Sequence, residues 1–241
     1  MRLLCALSML AALAVTAPAH AQSREELNAR CVNAGKAHSF ETQLMACTNL
    51  MRMQDGSPAA LAQTFNNRGN AYRAERQYGA AIADYDEAIR LDPNYANGYN
   101  NRGIALRYAG LYERALADFG QAIQLNPQFA SAYANRASTH QDRGNLALAI
   151  ADYTRAIELE PDSVNAYNNR ANAYRLQGDH ARAMSDYNTA IRLNPRFAGA
   201  YNNRGRLYQA MGEIELSLAD YEEARRLEPE NPAYQGFGMR R

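Results

Sequence analysis

The chain has 241 residues, 47% of them hydrophobic, and its 26 basic side chains are balanced by 25 acidic ones. Near-neutrality argues against nucleic acid as the main partner, which needs a basic surface to release counterions. Lys36 is the only lysine, an arginine preference that reads as a coding bias before it reads as function. After Met1-Arg2 the sequence is apolar from Leu3 to Val15 and ends on Ala19-His20-Ala21, so residues 1–21 are expected to be a signal peptide cleaved after Ala21. That run is too short to span a bilayer comfortably, and no later segment is longer. Cys5 precedes the cut and no cysteine follows it directly, which disfavours a lipid anchor. The mature chain is expected to be periplasmic or secreted, free of membrane insertion once the signal is gone.

Segment 22–58 carries two cysteines, Cys31 and Cys47, each eight residues from Ser39. Shifted forward by 38, residues 24–57 lay Arg30-Cys31 on Arg68-Gly69, Phe40 on Tyr78 and Cys47 on Tyr85, with Asp55-Gly56-Ser57-Pro58 as a linker. The segment reads as a degenerate copy of the unit that follows it. In an antiparallel hairpin, residues equidistant from the turn lie level, so the two cysteines should face each other. In an exported chain they could form a disulfide worth about 3 kcal/mol; the alternative is two reduced cysteines acting as small core residues.

From 59 to 231 the sequence is periodic. Pro93, Pro127, Pro161, Pro195 and Pro229 stand 34 residues apart and divide the region into units 62–95, 96–129, 130–163, 164–197 and 198–231. Each unit has an aromatic fourth (Phe65, Tyr99, Tyr133, Tyr167, Tyr201), a small residue eighth, an aromatic twenty-fourth and alanine twenty-seventh. Apolar positions 4, 8, 11 and 20, 24, 27 have helical spacing, which predicts two amphipathic helices per unit. Gly110, Gly144, Gly178 and Gly212 fall where the first helix must stop, and each proline closes the second. One such hairpin cannot bury its apolar face alone, so stability must come from stacking.

The order of aromatic, small residue, tyrosine, alanine, aromatic, alanine and proline resembles the tetratricopeptide repeat. One departure recurs, arginine at the seventh place (Arg68, Arg102, Arg136, Arg170, Arg204) where the family usually has leucine. The resemblance implies an all-α, right-handed superhelical solenoid of antiparallel helix pairs, here a degenerate N-terminal hairpin and five regular repeats. The seventh-place arginines recur with aspartates at the twenty-third place, level across each hairpin, and read as architectural pairs bridging the helices.

In such arrays, the resemblance further implies, first helices line a concave face and their second, fifth, sixth, ninth and twelfth residues point into it. Matched onto this chain, the candidate peptide-binding residues are Asn66, Asn100, Asn168 and Asn202 at the fifth place, and Asn67, Asn101, Asn135, Asn169 and Asn203 at the sixth. Asn70, Asn172 and Arg206 stand at the ninth and Arg73, Arg107 and Arg175 at the twelfth. Ala134 is the one fifth-place exception, in a third unit where Ser131, Ser138 and Asp142 also break the amide and arginine rows. A side-chain amide donates and accepts, so a ladder of them can hold an extended peptide at about 1 kcal/mol net per bond. The structural alternative is that these asparagines bond to their own helices or to neighbouring units. The arginines give the groove a positive lean suited to an acidic peptide or a terminal carboxylate. Asn66, Ser131 and Asn135 occupy places where a carboxylate clamp needs lysine or arginine, which rules that clamp out.

After Pro229 the tail 232–241 is too short for a solvating helix; Tyr234, Phe237 and Met239 are expected to fold over the last helix, or that helix meets another molecule. His38, His140 and His180 are isolated at repeat positions that other units fill with apolar or aromatic residues. No metal-ligand spacing or phosphate loop is present. The reading is therefore an exported protein- or peptide-binding scaffold with neither catalytic residues nor cofactors. Its alternative is a self-associating structural or assembly subunit of an envelope complex.

Overall fold

The computed structural model describes residues 23–33, 37–53 and 56–235. The expected signal peptide and its cut site lie outside these residues, as do Phe237 and Met239. Among the described residues twelve α-helices make six consecutive antiparallel pairs: α1 (Arg24–Val32) with α2 (Phe40–Arg52), α3 (Pro58–Ala74) with α4 (Tyr78–Leu91), and α5 (Ala96–Tyr108) with α6 (Tyr112–Leu125). They continue with α7 (Ala130–Asp142) and α8 (Leu146–Leu159), α9 (Val164–Gln177) and α10 (His180–Leu193), then α11 (Ala198–Ala210) and α12 (Ile214–Leu227). A short 3-10 turn, Pro232–Tyr234, closes the described chain. No helix among these residues is long and apolar enough to cross a membrane.

Local chemistry sets each boundary. Ser23 and Glu26 form a capping box on α1, and Ser57 caps α3 ahead of Pro58. Gly110, Gly144, Gly178 and Gly212 end the first helices with φ between 78° and 86°, the left-handed region glycine enters without penalty. In the first regular unit the same place is held by Arg76 at φ 57°. At the ends of α4, α6 and α10, the side chains of Asp92, Asn126 and Asn194 accept the backbone N–H two residues on, turning the chain around each proline.

The core is a string of small clusters between layers. Tyr85, Phe119, Tyr153 and Tyr187 are at most 1% exposed, each packed under the small eighth residue of its own unit. At Gly69 and Gly103 an added Cβ would stand 2.7 Å from the Tyr85 or Phe119 ring, so the first helix lies directly on the aromatic. Successive first helices touch along one side (α1 with α3, α3 with α5, α5 with α7, α7 with α9, α9 with α11), while no two second helices make a comparable contact. This asymmetry curves the array and puts the first helices on its inner face.

The N-terminal pair is pinned. Cys31 and Cys47 are joined by a disulfide with Cα atoms 4.8 Å apart, and both are fully buried with Leu27, Ala46 and Leu50. A terminal unit has a neighbour on one side only, and the crosslink supplies what that missing layer would have given.

Candidate functional site

All five seventh-place arginines make a two-pronged bond to the twenty-third-place aspartate of their own unit, Nε and Nη2 to the two carboxylate oxygens at 2.7–2.9 Å. Each guanidinium also lies 5.5–5.7 Å over the ring of its fourth-place aromatic. In four of the five, Nη1 reaches back to the preceding layer: Arg68 to Thr48, Arg102 to Asp86, Arg170 to Thr154 and Arg204 to Asn188. In the third unit the residue at that place is Gly120, and Arg136 keeps only Asp152. Bonding to Asp84 holds the Arg68 guanidinium above its ordinary pKa against the desolvation that would lower it. These side chains tie layers together.

The asparagines form a ladder that runs between repeats. Asn101 Nδ2 donates to Asn66 Oδ1 at 2.8 Å, Asn135 to Asn100 at 2.9 Å and Asn203 to Asn168 at 3.0 Å. Within a unit the fifth-place amide donates to its sixth-place neighbour, Asn100 to Asn101 and Asn168 to Asn169. The fifth-place asparagines are therefore not open groove contacts. Asn66, Asn100, Asn168 and Asn202 are 5–6% exposed, sunk beneath the inner face, and three of them accept from the next layer. The sixth-place residues Asn67, Asn101, Asn135, Asn169 and Asn203 are half-buried and form the visible row. Asn202 Oδ1, at the open end, is buried without a partner among the described residues, since its donor would belong to another layer.

The ninth-place candidates are also engaged. Asn70 accepts the Tyr85 hydroxyl at 2.8 Å and Asn172 the Tyr187 hydroxyl at 2.7 Å, while Ser138 pairs with Tyr153 at 2.8 Å. Where the second unit has Phe119, its ninth residue is Ile104. Burial pushes the Tyr85 and Tyr187 hydroxyls up to about 12, partly offset by the nearby Arg73 and Arg175. The expected positive lean is weaker than the arginine count suggests, because Arg107 Nε bonds Asp142 Oδ2 at 2.6 Å across the layer. Arg73 and Arg175 sit half-buried with buried Nε atoms unpartnered among the described residues, and Arg206 is exposed near Tyr234.

The second-place residues Gln63, Asn97, Ser131 and Asn165 are exposed along the rim, although only Ser131 stood out in the sequence. Between α7 and α9 the inner face opens into a cavity of about 470 Å³, lined by Ser131, Ala134, Asn135, Ser138, Glu160 and Asn169 among others. Among the described residues no group of histidine, cysteine or carboxylate side chains could hold a metal ion.

The family's TPR repeat profile matches residues 69–110, 141–178 and 171–212, and tetratricopeptide repeat profiles match 96–129 and 198–231. Together they span more than half of the sequence. The chain belongs to the tetratricopeptide repeat family. No curated protein matches it. Among solved tetratricopeptide-type structures, a MamA structure is 25% identical, with 67% of this chain and 94% of that one covered at a TM-score of 0.59. YrrB, described as a TPR protein with an unusual peptide-binding site, is 20% identical over 79% of this chain and 96% of its own, with a TM-score of 0.58. The pilF protein of Pseudomonas aeruginosa is 18% identical over 89% and 97%, with a TM-score of 0.70. The last two likenesses show the shared fold alone.

Proposed function

We propose that this tetratricopeptide protein is exported and holds an extended segment of a partner protein along its inner, asparagine-lined face, without catalysis. The observation that carries the reading is the row of half-buried sixth-place amides, three of them locked in orientation by the layer before. Groups fixed before binding lose little freedom when a ligand arrives, so each bond keeps most of its net value. The fold supports it as well, because the family builds protein-binding scaffolds, and YrrB is described as having a peptide-binding site. The leader-like start and the Cys31–Cys47 disulfide agree with an oxidising compartment. With Arg107 neutralised by Asp142, the groove favours a polar segment, and an acidic one only near Arg73 and Arg175.

A second reading is self-association through the C-terminal layer. Leu216 and Leu218 on α12 are 48% and 41% exposed, and Asn202 Oδ1 awaits a donor there. Against it, Arg225 occupies the place held by Ile89, Ile123, Ile157 and Ile191 in the four preceding units, a polar substitution that suits an end facing solvent.

Pull-down after crosslinking in the native host tests both. Ser131→Trp with Asn165→Trp should block the groove without breaking a ladder bond and remove the captured partners, whereas Leu216→Glu with Leu218→Glu should not. The reverse pattern would move the function to the C-terminal end.

A further inference from the structure

The amide ladder has one missing rung. Every fifth-place asparagine flanked by regular units does two jobs where its geometry is complete. Asn100 accepts from Asn135 of the next layer at 2.9 Å and donates to Asn101 beside it at 3.4 Å; Asn168 accepts from Asn203 at 3.0 Å and donates to Asn169 at 3.1 Å. At the third unit the fifth place is Ala134, so neither job is done. Among the described residues Asn169 Nδ2 has no acceptor and Asn135 Oδ1 has no donor. Ala134, Asn135 and Asn169 together line the cavity between α7 and α9, so the place of the missing amide opens onto it.

We propose that this gap is a specificity pocket for a carboxamide side chain, glutamine or asparagine, of the segment bound in the groove. Its carbonyl accepts from Asn169 Nδ2, its NH2 donates to Asn135 Oδ1, and it takes the place of the absent rung. The inference rests on the peptide-binding reading and names what that groove selects.

Three features choose this ligand over others. A fifth-place side chain lies beneath the inner face, at 5–6% exposure in the other four units, so the gap is reached by a side chain and not by a peptide backbone running over the surface. A carboxylate accepts only; it would set an oxygen against Asn135 Oδ1 beside Glu160, and Arg107, which also lines the wall, is already paired with Asp142 at 2.6 Å. An apolar side chain leaves a donor and an acceptor desolvated and unpaired, the arrangement by which a site built for hydrogen bonding rejects a mismatched analogue.

The test uses the folded, disulfide-intact protein and small probes. N-acetylglutaminamide, N-acetylglutamate amide and N-acetylleucinamide are titrated while the side-chain amide resonances of Asn135 and Asn169 are followed. The glutamine probe should shift both and bind about thirtyfold more tightly than the leucine analogue, in proportion to two net hydrogen bonds, and more tightly than the glutamate one. Ala134→Asn should abolish that response while melting at the same temperature or higher, because it restores the rung. Asn169→Ala, which removes the donor and leaves the space open, should weaken the glutamine probe by about fivefold, the share of one net hydrogen bond, while Asn135 Oδ1 still disfavours the glutamate probe. Equal affinity for all three, or an unchanged response in Ala134→Asn, would overturn the pocket. If the groove-blocking tryptophans remove native partners but Ala134→Asn retains them, the pocket falls and peptide binding stands. If the glutamine probe binds as described but no partner depends on the groove, the pocket stands and the wider function falls.

Discussion

The arginine–aspartate pairs make a prediction that differs from one layer to the next. In the second unit Arg102 is held by Asp118 and also by Asp86 of the preceding layer at 2.6 Å. In the third, Gly120 stands where Asp86 would be, and Arg136 has Asp152 alone. Removing one partner of a fully buried pair costs about 3–5 kcal/mol because a charge is stranded. Arg136 is 27% exposed, which screens part of that penalty, so Asp152→Ala should cost about 3 kcal/mol. Asp118→Ala should cost about 2 kcal/mol, since Asp86, itself half exposed, still neutralises Arg102 with the roughly 1 kcal/mol expected of a surface pair. The missing contact can be put back: a Cβ at Gly120 meets nothing within 4 Å, so Gly120→Asp fits and should recover about 1 kcal/mol in the Asp152→Ala background. Urea unfolding of the four proteins, compared by midpoint at constant slope, reads the differences. Equal losses at Asp118 and Asp152, or no recovery from Gly120→Asp, would refute the idea that these arginines act as inter-layer ties.

Other consequences are as specific. Reducing the disulfide or replacing Cys31 by serine should cost about 3 kcal/mol, concentrated in α1 and α2 and read by hydrogen exchange there, with no difference between mutant and wild type once a reductant is present. Arg76→Gly should gain about 1 kcal/mol by relieving a non-glycine residue at φ 57°, measured as a higher melting temperature. Tyr85 and Tyr187 are neutral in the fold up to about 12 and ionise near 10 when unfolded. Their contribution is therefore whole below pH 10 and lost between 10 and 12, about 2–3 kcal/mol each. Tyr85→Phe with Asn70→Leu should flatten the alkaline fall in stability, and an unchanged profile would show that other groups govern it.

Much of this was legible because repetition exposes architecture. A 34-residue period with prolines and glycines at fixed offsets dictates helix pairs, and equal distance from a turn placed Cys31 opposite Cys47 and each seventh-place arginine opposite its aspartate. The asparagines were harder, because their partners lie in another repeat. The sixth-place amide meets the fifth-place amide 35 residues earlier, a register set by how layers stack and invisible within any one unit. For the same reason Ala134 read as a simple exception, although it leaves two neighbouring amides unserved. The ninth-place role did leave a sequence signal: asparagine or serine appears there in three of the four units with a tyrosine at the twenty-fourth place and isoleucine where that residue is Phe119, while in the fifth unit, with Arg206 ninth, Tyr221 bonds Gln209 instead.

The central claim, that the inner face holds a partner segment, is tested most directly by a photo-crosslinking amino acid placed at single sites and activated in the living host. Ser131 and Asn165 lie exposed on the inner rim, and Arg155 lies on α8 with its side chain 42% exposed. Adducts to a different protein from positions 131 and 165, absent from position 155, are the predicted result. Adducts confined to position 155 or to Leu216 on α12, with none from the rim, would contradict it.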